Sequence, residues 1–208
     1  MLHADDHLLA LLKPAGLLAV PGRGADKQDC LSRRAQACWP DALVVHRLDQ
    51  ATSGLMLLAR GPDMQRRLSA AFAQRRVHKR YEALVHGQPA LPPEAVGGWA
   101  HIELPLILDW PHRPRSKVDH AHGKPSHTRW QPLRHDPGAG TTRLALEPVT
   151  GRSHQLRVHL QAIGHPIVGD ALYGPPDGAP RLMLHACALQ LAHPASGAPL
   201  ALHSPAPF

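Results

Sequence analysis

One feature restricts how this chain can fold more than any other: a polar segment with a short apolar run on each side. The runs, residues 43–45 and 55–59, are bounded by polar and turn-forming residues, which is typical of short buried strands. A polar segment held between two such strands is a rigid platform for a reactive group. It carries Asp49, its only carboxylate, and Arg47 two residues earlier. Asp49 therefore has two interpretations: an ordinary turn residue of a hairpin, or the reactive group of a site.

The composition indicates a folded, basic protein. The chain has 208 residues, of which 43% are hydrophobic, and a formal net charge of +7, which favours a polyanionic partner such as nucleic acid. Cys30, Cys38 and Cys187 form no C-x-x-C pair, and this usage predicts a reducing, cytoplasmic location. The N-terminal segment has no basic region followed by a long apolar one, so the sequence predicts neither a signal peptide nor a membrane span.

Strand patterns outnumber helix patterns along the chain. The sequence therefore predicts an α+β fold in which a mixed, largely antiparallel sheet is flanked by few helices. Ser153 and Gly164 have the residue types of the N-cap and C′ positions of the last helix. The predicted strands cover residues 8–12, 17–20, 43–45, 55–59, 77–86, 104–110, 127–133, 141–148, 182–191 and 200–203, and the predicted helices cover residues 29–38, 61–75 and 154–163.

Residue spacing argues against several chemistries. His154 and His159 are five positions apart, which is about 140° around a helix, so with His165 they do not form the zinc site that an H-E-x-x-H helix forms. No G-x-S-x-G elbow and no phosphate-binding glycine loop is present. A carboxylate, several arginines, a tyrosine and a basic surface remain as candidates for chemistry, and no metal is predicted.

Two basic segments each keep two interpretations. The helix predicted over residues 61–75 contains Arg66, Arg67 and Arg75, and residues 110–117 combine cations and prolines with an aromatic residue. Such segments contact the phosphates of RNA in nucleic-acid-binding proteins. They are equally typical of a solvated surface, and the sequence alone does not decide between the two.

The Asp49 segment belongs to an ordered series of motifs that resembles the RluA family of pseudouridine synthases. The motifs occur in the family's order and extend over nearly the whole chain. They imply a catalytic domain over residues 1–208, without the small N-terminal RNA-binding domain that many relatives carry. The matching residues are Lys13-Pro14-Ala15-Gly16, His46-Arg47-Leu48-Asp49 with Thr52-Ser53-Gly54, Lys79-Arg80-Tyr81, and Gly151-Arg152-Ser153-His154-Gln155-Leu156-Arg157 with His159.

The resemblance implies that the chain isomerises uridine in RNA to pseudouridine, without cofactor or metal. Asp49 would be the essential carboxylate and would act on the ribose or on the base. Tyr81 would stack on the flipped uracil, and Arg47 would hold the target nucleotide out of the RNA stack. Arg157 would pair with the carboxylate and keep it ionised. The remaining residues assigned to substrate binding are His46, Thr52 and Leu156.

The position of Arg157 on the last helix supports this role. It lies about 60° from Leu160 and therefore borders the apolar face of that helix. A partly buried arginine needs an anion, and Asp49 is the expected one.

The resemblance also implies particular substrates and an alternative function. The substrates would be large-subunit ribosomal RNA and the tRNA anticodon stem-loop, with no membrane and no obligate protein partner. The alternative is a non-catalytic RNA-binding or RNA-folding module on the same fold. Asp49, Tyr81 and Arg157 argue against that alternative, because a pure binder does not need a carboxylate that faces RNA phosphates.

Overall fold

Strands dominate the structure. The computed structural model describes residues 1–208, which form twelve β-strands, three α-helices and two short 3-10 helices at Ala25–Lys27 and Trp110–His112. The pairing is mostly antiparallel with one parallel pair, which confirms the predicted α+β class. In chain order the elements are β1 (His3–Ala4), β2 (Leu8–Lys13), α1 (Leu31–Cys38), β3 (Ala42–Val44), β4 (Ser53–Arg60), α2 (Gly61–Ala73), β5 (His78–His86), β6 (Ala100–Glu103), β7 (Leu106–Leu108), β8 (Ser116–Val118), β9 (His127–Asp136), β10 (Thr141–Pro148), α3 (Gln155–Ala162), β11 (Leu184–Ala192) and β12 (Pro199–His203).

The contacts within the chain define two compact units. The first unit contains Met1–Lys79 and His185–Pro207, and the second contains Arg80–Leu184 and Phe208. None of the helices is long and apolar enough to cross a lipid bilayer.

Strand β4 lies at the centre of the first unit. It pairs antiparallel with β2 along one edge, while β11 in parallel and β3 in antiparallel orientation share its other edge. Leu55 and Leu57 pack with Leu68 of α2 on one face, whereas Met56 and Leu58 pack with residues of α1 on the other. Because both faces are covered, the strand is continuously apolar over residues 55–59 instead of alternating with polar residues.

Gly54 allows the parallel pair to form at the start of β4. Its φ of +121° lies in a region that L side chains rarely adopt. A Cβ atom there would lie 2.4 Å from both the backbone nitrogen and the backbone oxygen of Ala186 in β11. Only glycine fits this close approach, which fixes where the polar segment before β4 ends.

The second unit is built on an antiparallel sheet in the order β5, β10, β9, β6. Ala83 and Val85 of β5 and Leu144 and Leu146 of β10 are buried. Strands β7 and β8 form a separate two-stranded ribbon. Helix α3 contacts β8, β9 and β10, so the residues of the last motif sit on a helix that is packed along its length.

Three local predictions are wrong. Residues 17–20 form only one bridge, between Leu18 and Cys30, because the backbone carbonyl of Leu17 accepts a hydrogen bond from the Lys13 side chain. The strand predicted over 104–110 is limited to β7, since residues 110–112 turn into a 3-10 helix. Helix α3 begins after His154, in the left-handed conformation with φ 55°, and no side chain, including that of Ser153, caps it.

Candidate active site

The polar segment of residues 45–52, called the Asp49 loop below, connects β3 to β4 as the sequence predicts. Leu48 and Thr52 are buried, Asp49 is half-buried and Arg47 is exposed. The N–H of Thr52 donates to the carbonyl of Asp49 at 3.1 Å, which closes a turn directly after the carboxylate. Leu48 and Thr52 anchor the loop in the interior. The Arg47 side chain is therefore exposed to solvent, while Asp49 remains partly covered by neighbouring residues.

Lys13 fastens the Asp49 loop to the end of β2. The residue is 1% exposed, and its ammonium group donates to the backbone carbonyls of Pro14 at 2.9 Å, Leu17 at 2.7 Å and Gln50 at 2.9 Å. Burial lowers the pKa of Lys13 to about 8, and the charge of Asp49 acts in the opposite direction. The lysine of the first motif therefore places a buried positive charge beneath the loop that carries Asp49.

Gln50 and Gly16 add a second connection. The N–H of Gly16 donates to the carbonyl of Gln50 at 2.9 Å, and the Gln50 side-chain amide donates to the carbonyl of Gly16 at 3.0 Å. Gly16 belongs to the first motif, whereas no pattern in the sequence indicates the contact with Gln50. One feature of the sequence indicates that Lys13 positions the loop: it is a lysine at the end of an otherwise apolar strand.

His46 holds the other end of the Asp49 loop. Its Nε2 accepts the backbone N–H of Leu57 at 2.9 Å, and its ring stacks on Phe72 with centroids 4.3 Å apart. Burial, and to a smaller extent the charge of Lys79, lowers the pKa of His46 to about 3. The imidazole is therefore neutral at pH 7. The role of His46 and Thr52 in substrate binding stays a prediction. In the structure the His46 side chain stabilises the fold of the loop, and Thr52 is buried.

His46 should make the fold sensitive to acid. An unfolded chain binds a proton at this residue near pH 6.5, but the folded chain does so only near pH 3, so stability decreases as the pH falls below about 6.5. Between about pH 7.5 and about pH 5 the loss should reach about 2 kcal/mol.

The variant His46→Gln tests this effect, because its side-chain oxygen can accept the same N–H and does not titrate. Thermal unfolding at both pH values should show that the melting temperature of the unmodified protein falls more than that of the variant, by roughly 4–8 °C. An equal fall in both proteins would contradict the neutral state of His46.

Arg157 lies on α3 in the second unit and is 4% exposed. Its guanidinium group makes a bidentate ion pair with Asp170, in which Nε donates to Oδ2 at 2.7 Å and Nη2 to Oδ1 at 2.6 Å. Asp170 is 1% exposed and also accepts the backbone N–H groups of Leu172 and Tyr173 at 3.0 and 3.1 Å. The carboxylate is thus fixed by four donors, and it fixes the arginine in turn.

The anion that the burial of Arg157 requires is thus Asp170, a residue that the sequence does not single out. The pairing of Arg157 with Asp49 stays a prediction. Leu156, the neighbour of Arg157, is buried in the same unit.

Tyr173 also contacts the Arg157 side chain and helps to hold it in place. The guanidinium carbon lies 5.0 Å from the centre of the Tyr173 ring, which is the geometry of a cation–π contact. The hydroxyl group accepts the N–H of Ser116 at 2.7 Å and shares a hydrogen bond with Nδ1 of His154 at 2.7 Å. The remaining predicted residue, Tyr81, is half-buried on β5 and pairs with Leu146 of β10.

The three histidines that the spacing argument considered have different partners. His154 contacts Tyr173, His159 contacts Thr128 and the carbonyl of Leu104, and His165 contacts the carbonyl of His86. Their side chains serve separate parts of the fold.

Comparison with known proteins identifies the family. Residues 7–162 match the family model described as RNA pseudouridylate synthase. The chain belongs to the RNA pseudouridylate synthase family. It is therefore an isomerase that acts on RNA, which confirms the predicted enzyme class and argues against the alternative of a non-catalytic module.

Two curated members and one solved member of the RNA pseudouridylate synthase family extend this match to the full chain. The dual-specificity RNA pseudouridine synthase RluA of Escherichia coli K12 is 44% identical over 211 residues, covering 100% of this chain and 93% of the relative. The protein of the same name from Vibrio vulnificus CMCP6 is 50% identical over 198 residues, covering 92% of this chain and 77% of the relative. Human RNA Pseudouridylate Synthase Domain Containing 1 aligns with a TM-score of 0.80 at 29% identity, covering 100% of this chain and 83% of that chain. The predicted RluA-family membership is confirmed.

Proposed function

We propose that the protein is a dual-specificity pseudouridine synthase that modifies uridines in stem-loops of large-subunit ribosomal RNA and of tRNA. The observation that carries this proposal is the 44% identity, over the whole chain, with a relative named for dual specificity. The net charge of +7 supports a polyanionic substrate. The protein would act in the cytoplasm, without an obligate protein partner or a membrane.

Asp49 is the proposed catalytic residue. The reaction breaks the bond between C1′ of the ribose and N1 of uracil and forms a bond between C1′ and C5. The C5 proton is released and N1 takes up a proton, so the product is an isomer of uridine. Loss of the base leaves positive charge on the sugar, which a close carboxylate stabilises either as a neighbouring charge or by attacking C1′. The buried anchors of the Asp49 loop support this role, because a carboxylate that is held in place needs no reorganisation in the transition state.

Tyr81 and Arg157 are proposed to bind the target uridine and to orient the carboxylate. An aromatic ring that is only partly covered by its own fold can stack on a flipped base. The rigid mounting of Arg157 on Asp170 supports a positioning role, since the ion pair fixes the direction of the guanidinium group. Leu156, His46 and Thr52 complete the proposed set of residues.

Arg47 is proposed to hold the target nucleotide out of the RNA stack, and its exposure supports this role. Arg47→Ala should lower kcat/KM for a stem-loop by about 10- to 100-fold, because unstacking a base costs a few kcal/mol. The loss should be smaller for a short unstructured RNA, in which the base is already unstacked. Arg33→Ala is the matched control, since it removes an exposed arginine of the same unit. Equal losses on both RNAs would indicate phosphate binding instead of base flipping.

Pseudouridine mapping tests the proposed substrates. Ribosomal RNA and tRNA from cells with and without the gene would be compared, and the purified protein would be added to RNA from the deletion strain. Sites should disappear from both RNA classes and should return on incubation with the protein. Loss from only one class would contradict the dual specificity, and unchanged maps would contradict both substrates.

A further inference from the structure

Strands β6 and β9 bring three potential metal ligands onto one face of the second unit. His101 and Glu103 are two positions apart on β6, so their side chains lie on the same side of the sheet. His127 is the direct antiparallel partner of Glu103 in β9. His101 and Glu103 are exposed and His127 is half-buried, so an ion could reach this cluster from solvent.

The ligand atoms of the three side chains converge. Nδ1 of His101 lies 2.7 Å from Nε2 of His127, and Oε1 of Glu103 lies 3.7 Å from the same Nε2. All three ligand atoms lie within 4.8 Å of one another. A tetrahedral zinc ion with bonds near 2.0 Å holds neighbouring ligand atoms about 3.3 Å apart. The 2.7 Å distance must open by about 0.6 Å and the 3.7 Å distance must close by about 0.4 Å, while the third distance, which is at most 4.8 Å, must close by up to about 1.5 Å. Rotation of the exposed side chains of His101 and Glu103 permits these changes.

We propose that His101, Glu103 and His127 form a binding site for a divalent transition-metal ion, with Zn²⁺ as the best match. Two imidazole nitrogens and one carboxylate oxygen form a ligand set that zinc uses, and water would supply the fourth ligand. The 2.7 Å contact between the two ring nitrogens is a hydrogen bond, in which one nitrogen donates and the other accepts. Each neutral imidazole can carry its proton on its other nitrogen and direct a lone pair at the ion.

The ion would have a structural role, because none of the three residues belongs to the set proposed for catalysis or substrate binding. It would join β6, the edge strand of this sheet, to β9 at His127. The backbone N–H of His127 donates to the Thr150 hydroxyl at 2.9 Å, and its carbonyl accepts the Gln155 side-chain amide at 2.9 Å. Thr150 precedes α3, and Gln155 is the first residue of that helix. A bound ion would therefore stabilise the strand to which the start of α3 is hydrogen-bonded.

Isothermal titration of the purified full chain, without a histidine tag, with ZnCl₂ tests the proposal. The unmodified protein should bind one ion that His127→Ala loses, and Glu103→Gln should weaken that binding by about tenfold or more. His120→Ala removes an exposed histidine outside the cluster and serves as the matched control, with binding unchanged. Equal zinc binding by the unmodified protein and by a variant that combines His101→Ala with His127→Ala would overturn the proposal.

Thermal unfolding gives a second measurement that does not depend on catalysis. At an ion concentration about 100 times Kd, the melting temperature of the unmodified protein should rise by roughly 5 °C or more. The His127→Ala variant should show no such rise. A zinc-dependent rise of the same size in that variant would place the bound ion elsewhere on the chain and would also overturn the proposal.

Discussion

Replacing Asp49 with asparagine should reduce pseudouridine formation by at least about 10⁴-fold, the scale seen when the central group of a catalytic unit is removed. Asparagine keeps the size of the side chain but removes the negative charge that stabilises C1′ when the bond to the base breaks. RNA affinity should be unchanged or slightly higher, because a charge that faces phosphates has been lost. The rate can be measured as tritium release from RNA labelled at C5 of uridine, since that hydrogen leaves in the reaction.

The variant Asp26→Asn is the matched control. Asp26 is exposed in the same unit, so the variant has the same change in charge and should retain full activity. Asp49 is only half-buried, and the melting temperature of Asp49→Asn should therefore stay within a few degrees of the unmodified protein. A folded Asp49→Asn protein that keeps more than about one hundredth of the activity would show that another group performs the essential step.

The placement of Asp49 was predictable because its neighbourhood is local in sequence. The two apolar runs beside the loop match β3 and β4 closely. A short apolar run also fits a buried helix segment, but its short length and the turn residues around it favour a strand. Tyr81 was placed correctly on a strand for the same reason: alternation along β5 puts it on the face of Ala83 and Val85, which are buried.

The hydrogen bonds and ion pairs that hold the site residues in place were less predictable, because they join residues that are distant in sequence. Lys13 donates to a carbonyl 37 positions away, and no local pattern distinguishes a lysine that does so from one at the solvated end of a strand. Asp170 follows Arg157 by 13 positions and has the appearance of a turn residue, since it also accepts two nearby N–H groups. The burial of Arg157 predicted that an anion was needed, but only the structure identified Asp170.

The N-cap of helix α3 was predicted wrongly for a different reason. The sequence placed an N-cap at Ser153, but the turn before the helix is built by Gln155, whose side chain contacts Thr150, Arg152 and Thr128. This glutamine satisfies polar groups around the helix start, and His154, in the left-handed conformation, takes the position before the first helical residue. Capping rules consider one side chain at a time and do not anticipate such a network.

Asp170→Asn should impair both folding and catalysis. The asparagine amide would direct N–H groups at the Arg157 guanidinium, so one of the two charge-assisted hydrogen bonds is lost and the buried positive charge loses the negative charge of Asp170. Breaking a buried pair in this way costs about 3–5 kcal/mol of stability. At a temperature where the variant is folded, kcat should fall by roughly 100-fold, because Arg157 is no longer held in one direction. Thermal unfolding and the tritium-release assay measure the two effects.

Two further variants separate a positioning role from a purely structural one. Asp177→Asn is the matched control, since Asp177 also accepts backbone N–H groups in this part of the chain, from Gly169 and Ala179, but has no arginine partner; it should keep most of its activity. A double variant, Arg157→Met with Asp170→Asn, removes the buried positive charge, while the asparagine oxygen can still accept the N–H groups of Leu172 and Tyr173, so it should recover much of the stability that Asp170→Asn alone loses. It should nevertheless stay inactive, because the guanidinium group is gone. If this stable double variant formed pseudouridine at the normal rate, the ion pair would serve only the fold, and the proposed role of Arg157 in the reaction would be wrong.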